Sequence, residues 1–98
     1  MEKGTPHRKL AAVKRLVEAG KVRATASAVA GAAALGLDFE GMTDIVKALT
    51  PADFYKSMTT YHDHRIWQDV YRTSVAAGEI YLKLTVVDDV LIVSFKAL

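Results

Sequence analysis

Apolar residues recur every three or four positions over the first half of the chain and every second position from residue 54 onward. This change of period predicts helices followed by strands. Leu10, Val13 and Val17 keep helical spacing, with Leu16 beside them. Thr5-Pro6 reads as an N-cap followed by proline at the first helical position, and Gly20 as the stop. Lys21 to Ala24 reads as a short extended piece. Residues 25–36, TASAVAGAAALG, predict an alanine-rich helix ending at Gly36, whose small side chains imply close approach to a neighbouring element. Asp38 caps a third helix in which Met42, Ile45, Val46 and Leu49 follow the i, i+3, i+4, i+7 rule. Thr50-Pro51-Ala52-Asp53 is a turn or a single helical turn.

Strands are predicted at 54–61, 66–73, 79–87 and 90–97. Ile80, Leu82, Leu84 and Val86 face one way, as do Leu91, Val93 and Phe95 across a short Asp88-Asp89 turn. The expected fold is therefore α+β, with N-terminal helices packed on one face of a C-terminal antiparallel β-sheet and the opposite face open to water or ligand. Neither a repeat nor a linker interrupts residues 1–98, so a single domain is expected.

Composition narrows the function classes. The chain has no cysteine, which leaves no disulfide framework and no thiolate metal site. The 51% apolar share is too high for a disordered chain, and no apolar run is long enough to span a bilayer. MEKGTPHRKL lacks an apolar signal core, so a cytoplasmic protein is expected. Charge is uneven. Up to residue 23, Lys3, Arg8, Lys9, Lys14, Arg15, Lys21 and Arg23 outweigh Glu2 and Glu18. Such a front section suits a polyanion, or is simply a solvated helix face. His7, Arg8 and Lys9 are expected in a first helical turn that a phosphate could occupy.

A two-residue turn at 88–89 sets Val87 opposite Val90, so that paired residue numbers sum to 177. Tyr81 then sits across from Lys96, and Lys83 from Ser94, on the uncovered face. A phenol beside an ammonium can serve as an acid/base pair and phosphate clamp, or merely as a solubilising contact. Lys56 in FYKSMTTY is either an edge-strand gatekeeper or a phosphate-holding cation. An even loop pairing Tyr61 with Ile66 would send Gln68 to the other face, so Lys56 and Gln68 converge only with an odd loop or a bulge. His62-x-His64 lacks a third ligand for zinc. Trp67 and Tyr71 read as core or base-stacking residues. Glycine-rich phosphate loops and nucleophile-elbow motifs are absent.

TPH near the start, LGLDFEGM, DFYKSMTTY, IWQDVYR, YLK and DVLIVSFK closely resemble the MqsR family, the motility quorum-sensing regulator toxins, over essentially the whole chain. The resemblance implies a RelE-like toxin fold and an mRNA interferase that cuts preferentially at GCU, without a metal, a cofactor or an obligatory ribosome. It also implies an MqsA-type antitoxin as partner. The family's proposed active-site positions fall on Lys56, Gln68, Tyr81 and Lys96. In the expected chemistry the 2′-hydroxyl attacks and leaves a cyclic phosphate and a 5′-hydroxyl. Lys56 and Lys96 stabilise the phosphorane, their repulsion lowering one pKa. Tyr81 acts as acid or base, and Gln68 orients the phosphate or the 2′-hydroxyl. Arg72, Lys83, Tyr55 and Met58 hold the backbone and stack bases. The alternatives are a non-catalytic RNA- or partner-binding module and a structural subunit pairing through a strand edge.

Overall fold

Helix α1, Leu10–Glu18, buries Val13 and Val17, which lie one above the other on a single face. It starts four residues later than Thr5-Pro6 predicts. The reason is long-range: the backbone N–H groups of His7 and Arg8 donate to the two carboxylate oxygens of Asp69, at 2.9 and 3.1 Å. The segment ahead of α1 is thereby tied to the sheet, and an internal carboxylate takes the place suggested for a phosphate. Helix α2, Ala26–Ala33, is capped by Thr25, and helix α3, Phe39–Ala48, by Asp38, whose carboxylate accepts the Gly41 N–H at 2.7 Å. The small side chains of α2 permit close approach, since a Cβ at Gly31 would collide with the Phe95 carbonyl. A single 3-10 turn at Pro51–Asp53 leads into the sheet.

The computed structural model describes residues 1–98 and shows a sheet of six strands rather than four. The strands are β1 Glu2–Lys3, β2 Val22–Ala24, β3 Phe54–Thr59, β4 Trp67–Val75, β5 Gly78–Val87 and β6 Asp89–Ala97, ordered β1-β3-β4-β5-β6-β2. The central four form an antiparallel meander. Two short strands close its edges: β1 runs antiparallel to β3, and β2 parallel to β6. Val13, Val17, Ala28, Ala32, Met42, Val46 and Leu49 pack from the helices onto Tyr71, Ile80, Leu82, Leu84, Val90, Ile92 and Phe95. The helices thus cover one face, and all seven of these sheet side chains are nearly or fully buried.

The β5–β6 hairpin differs from its expected form in two compensating ways. Reversal occurs at Asp88 alone, held at φ 65°, so Val87 pairs with Asp89 and Val86 with Val90. Farther along, Leu84 pairs with Ile92 but Lys83 with Ser94, leaving Val93 as an extra residue. This bulge switches the inward face of β6. Val90 and Ile92 enter the core before it and Phe95 after it, while Leu91 and Val93, expected in the core, are only half-buried. Thr25 holds the bulge in place. Its hydroxyl donates to the Val93 carbonyl at 2.8 Å while accepting the Ala28 N–H at 3.1 Å.

Candidate active site

The face away from the helices is assembled by register. β3 and β4 pair Lys56 with Val70 and Met58 with Gln68. Thr60 N–H donates to the Ile66 carbonyl, which leaves the five residues 61–65 as the loop, an odd number. Lys56 and Gln68 therefore share a face. A second irregularity, between Phe54 and Lys56, makes Tyr55 an extra residue. Phe54 stays with the core, edge-on to Tyr71, while Tyr55 emerges on the open face with the Arg72 guanidinium 3.7 Å from its ring centroid. β4 and β5 pair Val70 with Lys83 and Arg72 with Tyr81. β5 and β6 pair Tyr81 with Lys96, whose ammonium lies 5.2 Å from the phenol ring centroid.

All eight sequence-derived candidates thus meet on one face: Lys56, Gln68, Tyr81 and Lys96, with Tyr55, Met58, Arg72 and Lys83 around them. Val70 lies beneath them, fully buried but outside the helix-covered core. Only the overlying side chains of this face can shield it, and the long stems of its lysines and glutamine are suited to do so. The surface is shallow. The two hollows of the molecule lie elsewhere, one lined by Asp53, Thr73, Ser74 and Glu79 and sharing only Arg72 with this face, the other by His7, Arg8, Arg65 and Trp67. An open, basic, aromatic-edged strip suits a polymer better than a small molecule enclosed on all sides.

The electrostatics depart from the expected scheme. Lys56 is paired with the Glu2 carboxylate from β1, which holds its ammonium above the usual lysine range and the Glu2 carboxyl below its own. The amine whose proton is loosened is instead Lys83, pushed down by burial and then by the charges of Lys96 and Lys56. Lys56 and Lys96 stand three strands apart, about 14 Å between backbones, and Lys83 lies between them. Sequence reasoning missed Glu2 because a two-residue strand carries no period to detect.

His62 and His64 lie in the loop, the former edge-on to Tyr61 at 5.4 Å, and nowhere do three His, Cys, Asp or Glu side chains come together. Tyr71 is core, its hydroxyl buried without a partner. Trp67 is half-buried, with the His7 ring stacked on it at 5.5 Å and the Lys3 ammonium 4.2 Å from its centroid. No helix is long and apolar enough to cross a membrane.

An α+β sheet with one face sealed by helices and the other bearing amines, a phenol and an amide defines a class of protein: a small domain with one open, basic sheet face. Comparison with known proteins gives the family. Residues 5–97 match the model described as "Motility quorum-sensing regulator, toxin of MqsA". Over 96 residues, 98% of each chain, the sequence is 62% identical to the mRNA interferase toxin MqsR of Escherichia coli (strain K12). This chain belongs to the MqsR toxin family.

Proposed function

We propose that this protein is the toxin of a toxin–antitoxin pair and acts as an endoribonuclease on mRNA, blocking translation. The carrying observation is the convergence of Lys56, Gln68, Tyr81 and Lys96 on the one sheet face that the helices leave open, in a chain so similar to a protein named an mRNA interferase toxin. The preferred site is GCU, no metal takes part, and an MqsA-type antitoxin is the protein partner.

The reaction follows from the groups present. The 2′-hydroxyl of the nucleotide before the cut attacks the adjacent phosphorus, the P–O5′ bond breaks, and the ends are a 2′,3′-cyclic phosphate and a 5′-hydroxyl. Lys56 and Lys96 flank the phosphate and stabilise the charge gathering on its equatorial oxygens. Gln68, half-buried against Met58, orients the phosphate or the 2′-hydroxyl by hydrogen bonding. Tyr81 exchanges a proton with the reacting oxygens. Arg72 and Tyr55, already stacked, offer a ready surface for a base next to the cut. Glu2 holds Lys56 until the RNA phosphate replaces it as counter-ion.

The test is to incubate the purified chain with a defined RNA in EDTA and map the ends. Cleavage at GCU with 5′-hydroxyl products is expected. Binding without cleavage would favour the non-catalytic module, and cleavage that vanishes in EDTA would overturn metal independence.

A further inference from the structure

The expected scheme uses Lys83 only to hold the RNA backbone and gives it no part in the proton transfers. Lys83 sits at the centre, opposite Val70 on β4 and Ser94 on β6 and two residues from Tyr81 on its own strand. The ionisable groups facing it are Lys56 with its Glu2 partner from β3 and β1, Arg72 from β4, Tyr81 on β5 and Lys96 from β6. The only carboxylate among these is already engaged with Lys56, and Lys83 enters no ion pair itself. Lys83 is half-buried, whereas Lys96 and Arg72 are exposed. An ammonium in this position is surrounded by like charge and partly stripped of water.

We propose that Lys83 is the general base of the cleavage reaction and Tyr81 its partner acid. This rests on the endoribonuclease reading above and assigns roles that it leaves open. The two side chains project from one face of β5, about 7 Å apart along the strand, so a phosphate can sit with its O2′ toward one and its O5′ toward the other. Neutral Lys83 accepts the 2′-hydroxyl proton as O2′ bonds to phosphorus. The P–O5′ bond breaks, and O5′ takes the phenolic proton of Tyr81. Lys96, lying against the phenol ring, stabilises the phenolate. Passage of the proton from the Lys83 ammonium to the Tyr81 phenolate restores both groups, so no outside reagent is consumed. The lowered proton affinity of Lys83 fits this role, because a free amine must be populated near neutral pH. Lys56, held charged by Glu2, fits the complementary role of permanent cation.

The decisive variant is Lys83→Arg, which keeps the charge and the reach but cannot give up its proton. Single-turnover cleavage of an RNA with one site is followed from about pH 6 to about pH 9, and affinity is measured on the same RNA with a 2′-deoxy nucleotide before the cut. Lys83→Arg is expected to bind within about threefold of wild type yet cleave about 100-fold more slowly or worse. The wild-type rise in rate with pH should disappear. Lys83→Met should also be inactive and regain cleavage when methylamine is added, in proportion to the unprotonated amine. Cleavage by Lys83→Arg at the wild-type rate would overturn the proposal and reduce Lys83 to a phosphate contact. If the arginine variant does not fold, failure of methylamine to rescue Lys83→Met overturns it instead. Wild-type chain that binds the RNA and leaves it whole removes the endoribonuclease reading itself, which distinguishes the two failures.

Discussion

Replacing Thr25 by valine removes one hydroxyl while preserving the branched shape of the side chain. In the native chain that oxygen makes two part-buried hydrogen bonds, one from the Ala28 N–H that caps α2 and one to the carbonyl of Val93 in the β6 bulge. Loss of an N-cap costs about 1 kcal/mol. Leaving a partly buried carbonyl unpaired costs about another 1 kcal/mol. The sum, about 2 kcal/mol, is a large share of the stability of a domain this size. It corresponds to a melting temperature lower by roughly 8–16 °C. Thr25→Ser keeps both bonds and is expected to stay within about 0.5 kcal/mol of wild type. Urea or thermal unfolding followed by circular dichroism measures all three chains. The consequence for activity is specific, because the bulge determines which face Lys96 occupies. Below its melting transition Thr25→Val should cleave RNA more slowly than Thr25→Ser. If Thr25→Val unfolds within about 0.5 kcal/mol of wild type, the hydroxyl does not hold the bulge and the reasoning fails.

Other perturbations follow from the same structure. Asp69→Asn removes one of the carboxylate oxygens that receive His7 and Arg8 N–H, and should destabilise the fold by about 1–3 kcal/mol and raise hydrogen exchange at both amides. Tyr71→Phe deletes a buried hydroxyl that has no partner, and should leave stability unchanged or raise it. Burial pushes the Tyr71 phenol up to about 12, so the folded state holds that proton more tightly than the unfolded chain. Its contribution is complete below the usual phenol value of about 10 and is lost as pH rises from there through about 12. Wild type should therefore lose more stability than Tyr71→Phe across that window in alkaline unfolding. Lys83→Met relieves a half-buried ammonium of its like-charged neighbours. It should raise the melting temperature at neutral pH by roughly 2–4 °C. Because the amine binds its proton less tightly when folded, that gain shrinks as pH climbs through the lowered value toward 10.5.

How much of this was legible in the sequence depends on the range of each interaction. The helix faces were, because Val13 with Val17 and Met42 with Val46 carry their own period. The alternation of Ile80, Leu82 and Leu84 likewise marked the buried side of β5. The Tyr81–Lys96 pair also emerged, though through two errors that cancel. A turn one residue tighter than expected moves the pairing to a sum of 176, and the extra Val93 returns it to 177. No local pattern announces that bulge, whose support comes from Thr25, 68 residues away. The same holds for the late start of α1, decided by Asp69 against a plausible Thr-Pro cap. Strand β1 was invisible because two residues cannot show alternation, and with it went the Glu2 contact that fixes the charge of Lys56. Parity stated only the condition for uniting Lys56 with Gln68, an odd loop or a bulge. The family resemblance called for the two to meet, and the five-residue loop 61–65 supplies the odd count.

The claim on which everything else depends is that Lys56 and Lys96, brought to one open sheet face by two bulges and an odd loop, act on the scissile phosphate. Single-turnover cleavage by Lys56→Ala/Lys96→Ala, with folding checked by its melting curve, tests this most directly. A folded double variant that leaves the RNA intact is the predicted result, and undiminished cleavage would contradict the account.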